Sequence, residues 1–202
     1  MQITRMAKVG KEDKFAVFID GILKLFLSGQ SILDSELVVG QKITEDEITK
    51  LNLIANEDQL YLKALRYLNI RLRSEGEIRQ YLKRKGADNN QLINIISKLK
   101  SLDLIDDDRF SVAFIHDKLL SSPASKRKIT YELKKKQIAE DIIERSLNNE
   151  QITDEDNLRK LIAIKRNQSK YQDDLKLMQY LVRSGFNYGD VKRFLKDDVS
   201  QD

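Results

Sequence analysis

RLRSEGEIRQYLKRKG, residues 71–86, contains the helix pattern on which the interpretation of the whole chain depends. Its apolar residues Ile78, Tyr81 and Leu82 share one face of a helix drawn at about 100° per residue, while most of the charged side chains lie opposite. Gly86 follows at the point where a helix ends in a left-handed turn, which glycine adopts without strain. The stretch predicts a short amphipathic helix with a cationic outer face.

The same skeleton returns twice further along the chain. Ile78 is matched by Ile129 and then by Leu177, at offsets of 51 and 48 residues. Other large apolar residues recur before and after each copy at matching distances. A period of about 50 residues is typical of stacked helical modules, each too small to bury its apolar face alone. We therefore predict a mainly α fold with three tandem three-helix repeats that form an elongated array.

The first 43 residues follow a different pattern. The segment KFAVFID, residues 14–20, alternates its apolar side chains, and it ends in the dipeptide Asp20-Gly21, which tight hairpin turns prefer. With a preceding strand over residues 3–9, this predicts a small antiparallel β-hairpin or meander. Thr44 and Glu47 then form a capping-box pattern, which predicts a helix that covers the sheet.

These patterns divide the chain into four predicted segments. We expect a β-rich N-terminal extension with one capping helix over residues 1–57. The first repeat then covers 58–105, the second 106–152 and the third 153–202.

Charge is distributed in bands along the chain, although the formal net charge is only +4. Residues 63–100 carry ten Lys/Arg against three acids, and residues 126–136 carry six against one. Residues 101–117 and 139–156 are acidic in turn. Basic bands of this kind favour binding to an anionic partner such as nucleic acid or an acidic protein groove, whereas solvated helix faces give weaker versions.

Several classes of protein are disfavoured by what the sequence lacks. It has no cysteine, which excludes disulfides and thiolate chemistry and suits a reducing compartment. Its apolar runs are far shorter than the roughly 20 residues of a membrane span. No phosphate-binding loop or nucleophile motif is present. We expect a cytoplasmic protein that is not an enzyme, has no cofactor, metal or membrane partner, and is a monomer.

The helix stretch at 71–86, followed by LDLIDDDRFSVAFI at 102–115 and combined with three tandem modules and a β-rich extension, resembles the RecX regulatory proteins. The resemblance covers about residues 58–196 well and the extension more loosely. It departs from the family pattern in the loop before Ile129, which lacks the usual glycine, and at Gln137, which replaces another glycine.

This resemblance implies a function in DNA repair and the SOS response. RecX-like proteins bind the RecA recombinase and inhibit its ATPase and strand exchange, either in the groove of its filament on single-stranded DNA or by blocking filament growth. The expected partner is therefore the RecA filament, with single-stranded DNA as a direct partner in addition.

Two basic helix faces are the candidate partner-binding residues. A solvated surface is the alternative for both. In the first face, Glu75 at i already balances part of the charge through Arg79 at i+4. Tyr131 lies among the cations, where it either stacks on a base or partner side chain or is an ordinary exposed tyrosine. The predicted site consists of Arg71, Arg73, Arg79, Lys83, Arg84, Lys126, Arg127, Lys128, Tyr131, Lys134, Lys135 and Lys136.

The acidic run Asp106, Asp107 and Asp108 has two interpretations. Hard cations prefer carboxylate oxygens, so a magnesium site is one. Consecutive carboxylates at a helix start point in different directions and cap free N–H groups, and we favour this second interpretation.

Three functions remain open on the sequence alone. The first is a negative regulator of homologous recombination that binds the recombinase filament. The second is a basic helical-repeat protein whose main ligand is DNA, with an affinity that falls steeply with salt. The third is a scaffold that self-associates through its basic and acidic bands.

Overall fold

A computed structural model describes residues 1–11, 13–150 and 152–199 of the chain. Its elements confirm the mainly α class with a small N-terminal sheet. In the described residues no helix is both long and apolar enough to cross a membrane. The strands are β1 (Ile3–Lys8), β2 (Phe15–Ile19) and β3 (Ile22–Leu27). The helices are α1 (Gly29–Asp34), α2 (Glu45–Leu68), α3 (Glu75–Arg84), α4 (Asn89–Ser101), α5 (Asp107–Ser121), α6 (Lys126–Lys135), α7 (Glu140–Asn149), α8 (Asp154–Arg166), α9 (Asp174–Arg183) and α10 (Tyr188–Val199), with a 3-10 turn at Ser169–Tyr171.

The sheet is antiparallel with the strand order β1-β2-β3. Asp20 and Gly21 have φ angles of 48° and 79°, so both turn residues between β2 and β3 are left-handed, as the predicted hairpin requires. The segment after α1 runs along the free edge of β1, where the Ile3 amide donates to the Gln41 carbonyl over 2.9 Å. One face of the sheet is buried, and its apolar side chains are Ile3, Val17, Ile19, Leu25 and Leu27.

Helix α2 covers that buried face. The predicted capping box is present, because the Thr44 side chain accepts from the Glu47 amide and the Glu47 carboxylate accepts from the Thr44 amide. Ile48, Leu51 and Ala55 belong to the same core cluster as the sheet residues. The helix continues unbroken through residues 57 and 58, since no glycine or proline interrupts it, and so links the extension to the first repeat.

The chain divides into two compact units. The first contains residues 1–71 and 78–101, and the second contains residues 72–77 and the chain from 102 onward. The boundary falls inside α3, so the first turn of this helix belongs to the second unit and the rest of it to the first.

The three-helix repeats are visible in the order of the helices and in their cores. Helices α5–α7 surround one apolar cluster that contains Ile129 and Leu133, and α8–α10 surround another that contains Leu177 and Leu181. The helix that holds the repeated skeleton ends in each case at a left-handed residue. These residues are Gly86, Gln137 and Gly185, with φ angles of 90°, 62° and 93°.

Candidate partner-binding surface

Helix α6 is the most cationic helix of the second unit, and its start is fixed by the third repeat. Ser125, fully buried, caps the helix by accepting from the Lys128 amide over 3.2 Å. Its hydroxyl donates in turn to the Ser184 carbonyl over 2.9 Å. The Lys126 amide, the first of the helix, donates to the Asp154 carboxylate over 2.7 Å.

The same two bonds recur at the first turn of α3, still within the second unit. The Ser74 hydroxyl donates to the Lys136 carbonyl and the Glu75 amide donates to the Asp107 carboxylate, each over 2.8 Å. We call this pair, a serine to a carbonyl and a helix amide to an aspartate, the serine clasp. In the third repeat the position of the serine is occupied by Asp173, which caps α9 by accepting from the Lys176 amide.

The outer face of α6 carries an exposed stripe of cations around one aromatic ring. Arg127, Tyr131 and Lys134 follow one another at i, i+4 and i+7, so they lie along one side of the helix. Tyr131 is 59% exposed, and the Lys135 ammonium lies 4.6 Å from the centre of its ring. The stripe therefore combines positive charge with an exposed aromatic surface.

The cations of α6 differ in how far neighbouring acids neutralise them. Lys134 pairs with Glu140 over 2.6 Å, but both side chains are largely exposed and such a pair is easily exchanged for another partner. In the described residues no acid pairs with Arg127 or Lys128. These two side chains are therefore available to an anionic ligand.

Lys136 has a different environment from its neighbours in the KKK run. Its ammonium pairs with Glu77 over 3.1 Å, and the two side chains are only 23% and 16% exposed. It also lies 5.7 and 5.4 Å from the ring centres of Phe110 and Phe114. Lys136 thus contributes to the packing of the first turn of α3 on the second repeat.

The predicted basic face of α3 lies in the first unit. Lys83 and Arg84 are exposed in the last turn of the helix, and Arg79 is half-buried one turn earlier. Of the two arginines before the helix, Arg71 is exposed and Arg73 is half-buried. Arg71, Arg73 and Arg79 each already interact with another group of the protein. Lys83 and Arg84 are the more accessible charges of this face.

The equivalent face of α9 in the third repeat is less basic, because Lys176 and Arg183 keep the positions of Lys128 and Lys135 but the other two cations are replaced. Leu175 takes the position of Arg127 and is 68% exposed, and Val182 takes the position of Lys134. Met178, Val182 and Tyr188 line a shallow apolar cleft of about 350 Å³ beside it. The exposed stripe of Arg127, Tyr131 and Lys134 is therefore a property of α6 and not of the repeat itself.

The acidic run before α5 is engaged in capping and ion pairing. Asp106 accepts from the Arg109 amide over 3.0 Å and caps α5, as the favoured interpretation predicts. Asp107 belongs to the clasp, and Asp108 pairs with Arg145 over 2.9 Å. Arg145 also bonds Asp141 and thereby lowers the pKa of that carboxyl. Over the described ranges, no three His, Cys, Asp or Glu side chains are grouped so as to hold a metal ion.

The sequence interpretation missed the clasp residues Ser74, Ser125, Asp107 and Asp154. A signal was available, because Ser74 and Ser125 are 51 residues apart, the same offset that relates Ile78 to Ile129. The partner of each serine is a backbone carbonyl about 60 residues away, and no local pattern indicates it.

Comparisons with known proteins agree with this architecture. Family models for the first and second three-helix domains of RecX match residues 61–99 and 106–147. The regulatory protein RecX of Caldanaerobacter subterraneus subsp. tengcongensis is 26% identical over 197 residues, which cover 96% of this chain and 98% of that protein. The RecX of Streptococcus pneumoniae strain CGSP14 is 28% identical over 208 residues, which cover 100% and 78%.

Two solved structures resemble this fold. A crystal structure of regulatory protein RecX superposes with a TM-score of 0.77 at 22% identity, covering 97% of this chain and 98% of the other. The crystal structure of RecX from Lactobacillus salivarius gives a TM-score of 0.59 at 26% identity, covering 70% of this chain and 96% of the other.

Proposed function

The chain belongs to the RecX family of regulatory proteins, and we propose that it is a negative regulator of homologous recombination that binds the RecA filament on single-stranded DNA. The exposed stripe of Arg127, Tyr131 and Lys134 on α6 is the observation that carries this proposal. In this function the protein inhibits the ATPase and strand exchange of the recombinase without catalysing a reaction itself. It acts in the cytoplasm as a monomer.

The proposed mechanism is competition for the filament groove. A recombinase filament on DNA presents phosphates and acidic side chains, and complementary charge speeds the encounter and fixes the orientation of a bound partner. Arg127 and Lys128 supply charge that no acid of the described chain neutralises, and Tyr131 supplies a rigid aromatic anchor of the kind that dominates binding energy at interfaces. A protein held in the groove impedes the subunit motions that ATP turnover needs.

We assign the exposed end of α3 to the same function. Lys83 and Arg84 stand at the repeat positions of Lys134 and Lys135, so the two repeats present cations at equivalent places on equivalent helices. The division of the chain into an extension, 1–57, and repeats 58–105, 106–152 and 153–202 stays a prediction that this assignment uses. In the third repeat Arg183 keeps the position of Lys135, but Val182 replaces the cation at the position of Lys134.

The test is the steady-state ATPase of the recombinase on single-stranded DNA while the protein is titrated in. Arg127→Glu combined with Lys128→Glu should weaken inhibition by at least about tenfold, since reversal at a charged interface replaces attraction by repulsion. Arg79→Glu, Lys83→Glu and Arg84→Glu together test α3 in the same way. Lys176→Glu combined with Arg183→Glu on α9 is the matched control and should leave inhibition unchanged. Full inhibition by both sets of reversed variants would disprove the site.

A second candidate function is direct DNA binding. The exposed Tyr131 ring beneath the Lys135 ammonium is an arrangement on which a base can stack, and it favours this function. Inhibition that excess single-stranded DNA abolishes would indicate that the protein acts by occupying DNA. Inhibition at substoichiometric ratios that excess DNA does not relieve would support binding to the filament.

A further inference from the structure

The outer face of the N-terminal sheet is a second surface with a distinct chemistry. The inner face packs on α2, and alternate side chains along each strand point to the opposite side. Phe18 on β2 lies between the inner-face residues Val17 and Ile19, and Phe26 on β3 lies between Leu25 and Leu27. Both phenylalanines are half-buried and neither belongs to the core cluster.

A cation lies over each of these two rings. Arg5 is the cross-strand partner of Phe18, and its guanidinium carbon is 4.5 Å from the ring centre. The Lys14 ammonium is 4.2 Å from the ring centre of Phe26. Ala16 is the cross-strand partner of Phe26 and precedes Phe18 by two residues on the same strand. Its side chain is only a methyl group, so it does not project between the two rings. The outer face thus presents two cation-covered aromatic rings on adjacent strands.

The charge of this face is positive, and the nearby carboxylates are engaged at the ends of the strands. Lys24 is also exposed on β3. Asp13 accepts from the Gly29 amide over 3.0 Å, and Asp20 accepts from the Gln2 amide over 2.8 Å. Asp13 and Asp20 both lie outside the three strands.

The positive surface continues from Phe26 into a cleft between β3 and α2. The cleft has a volume of about 310 Å³, and its lining includes Lys14, Phe26, Lys63 and Arg66. Two carboxylates also line it, Asp13 and Asp58. Asp58 accepts from the Ser28 amide over 2.6 Å and from the Ser31 hydroxyl over 2.9 Å, which fixes the start of α1. The cleft therefore offers a path for an anionic chain leaving the second ring.

We infer that the outer face of the sheet binds single-stranded nucleic acid, with bases stacked on Phe18 and Phe26 and phosphates contacted by Arg5, Lys14 and Lys63. Stacking of a base on an aromatic side chain contributes more than an exposed cation–π contact, so a base can replace the cation over the ring. The displaced cation remains beside the base, where the backbone phosphate lies. A duplex keeps its bases stacked inside and offers no such contact.

An acidic protein segment is the other anionic partner that such a surface could attract. Two aromatic rings with cations over them favour nucleic acid, because every base has a π-face to stack and an acidic segment of Asp and Glu has none. The site is separate from the basic helix faces of the proposed function, and it assigns single-stranded nucleic acid to a different element from the Tyr131 ring of the second candidate function. Its test requires no recombinase, so its failure and the failure of filament regulation are distinguishable.

The experiment measures fluorescence anisotropy of a labelled oligothymidine of about 15 nucleotides, within the size range of single-strand sites of this kind, as the full chain is titrated in. Phe18→Leu and Phe26→Leu keep apolar bulk and remove the π-face, and each should weaken binding about tenfold. Arg5→Gln and Lys14→Gln should weaken binding and reduce its salt dependence. Lys98→Gln is the matched control, because Lys98 lies on α4 and its ammonium is 4.4 Å from the ring centre of Tyr61, also in the first unit. The affinity of this variant for oligothymidine should stay within about twofold of that of the parent.

Two further measurements keep the inference falsifiable if a variant unfolds. Photocrosslinking of the oligothymidine to the unaltered protein should place adducts on the peptides that contain Phe18 and Phe26, and adducts confined to other peptides would overturn the inference. Competition by polyglutamate as effective as that by unlabelled oligothymidine would also overturn it, and would indicate an acidic protein partner. Unchanged affinity for oligothymidine in both phenylalanine variants would also overturn the inference.

Discussion

The Ser74 hydroxyl donates a hydrogen bond to the backbone carbonyl of Lys136 over 2.8 Å, joining residues that are 62 positions apart in the chain. The same hydroxyl accepts from the Glu77 amide over 3.1 Å and so begins α3. One buried oxygen therefore starts a helix and binds the first turn of that helix to the second repeat. Ser125 does both again between the second repeat and the third.

We expect Ser74→Ala and Ser125→Ala each to lower the free energy of unfolding by about 2–3 kcal/mol. Each substitution removes a helix cap and leaves a buried carbonyl without its donor, and these effects are worth roughly 1 kcal/mol or more apiece. Chemical denaturation followed by circular dichroism measures the loss. Ser97→Ala, at an exposed position of α4, should change stability by less than about 0.5 kcal/mol. Equal stability of all three variants would show that the clasp contributes nothing.

The close approach at each clasp requires a small residue on one side. A Cβ on Gly76 would lie 2.5 Å from the Gln137 Cβ and 2.6 Å from the Lys136 carbonyl oxygen. At the second clasp the left-handed residue is Gly185, and a Cβ there would contact the Ser125 hydroxyl. At the first clasp the glycine is Gly76, which faces the left-handed Gln137, whereas at the second clasp the left-handed residue is itself a glycine, Gly185. The missing side chain at Gly76 makes room for Gln137.

Gly185→Ala should destabilise the protein more than Gly86→Ala. Both residues have left-handed φ angles, so both substitutions introduce backbone strain of about 1–2 kcal/mol. Nothing lies within 4 Å of a Cβ at Gly86, whereas at Gly185 the new methyl group displaces the clasp serine. We expect an additional loss of about 1–3 kcal/mol for Gly185→Ala, as for other overpacked sites, measured by denaturation. Equal losses would contradict the close approach.

Gln137→Gly should be neutral or stabilising by up to about 1 kcal/mol. It relieves left-handed strain at φ 62° and increases the freedom of the unfolded chain, which partly offsets that gain. In combination with Gly76→Ala it should restore only part of the stability lost, because the Lys136 carbonyl still blocks the new Cβ. Full restoration in the double variant would mean that the side chain of Gln137 is the only obstacle.

Lys136→Met and Lys134→Met should differ in their effect on stability. Lys136 is held in a half-buried pair with Glu77, and its substitution removes this ion pair, which should destabilise the protein by about 1–3 kcal/mol. Lys134 is in an exposed pair, and its loss should change stability by less than about 1 kcal/mol. Thermal unfolding of the two variants measures the difference, and a larger loss for Lys134→Met would contradict these environments.

The capping box of α2 should make stability depend on pH through Glu47. Hydrogen bonds from the Thr44 amide and then from its hydroxyl hold the pKa of Glu47 below its ordinary value. A lowered pKa in the folded state means that the unfolded state binds more protons, so this contribution is present above the unfolded pKa and disappears as pH falls through the folded one.

Glu47→Gln keeps a side chain that can accept from the Thr44 amide but does not titrate. Its melting temperature should therefore lie below that of the parent at neutral pH and approach it in acid. Glu45→Gln removes a charge from the same turn without altering the box, and the difference between the variants reports the box itself. If the difference in melting temperature between the parent and Glu47→Gln became larger in acid, the predicted direction of the pH dependence would be wrong.

The repeats and the hairpin could be predicted because their determinants are local. Ile78, Tyr81 and Leu82 set the helix face, and Asp20-Gly21 sets the turn, within a few residues of sequence. Helix α1 was not predicted, since it is only six residues long and depends on the Ser28 cap and the distant Asp58. Helix α2 runs across the predicted boundary at residues 57 and 58 because no glycine or proline ends it there.

The candidate site could be predicted as a set of residues but not in its details. Lys134, Lys135 and Lys136 are indistinguishable in sequence, and only Glu77, 59 positions away, gives the third a structural environment. Asp107 was expected to cap its own helix, and it instead binds the first amide of α3. Long-range partners of this kind leave no periodic trace in a single sequence.

Asp173 stands in the third repeat where the other two repeats have the clasp serine. A serine hydroxyl can donate to the carbonyl of a following module, whereas an ionised carboxylate can only accept, so the clasp cannot be formed by the third repeat. At the first repeat, the turn at Gly86 has the backbone geometry of a clasp acceptor. In the terms of polymer growth, the described repeats offer an acceptor at the first and no serine donor at the third, so copies of the chain cannot add head to tail through the bond that joins Ser74 to Lys136 and Ser125 to Ser184.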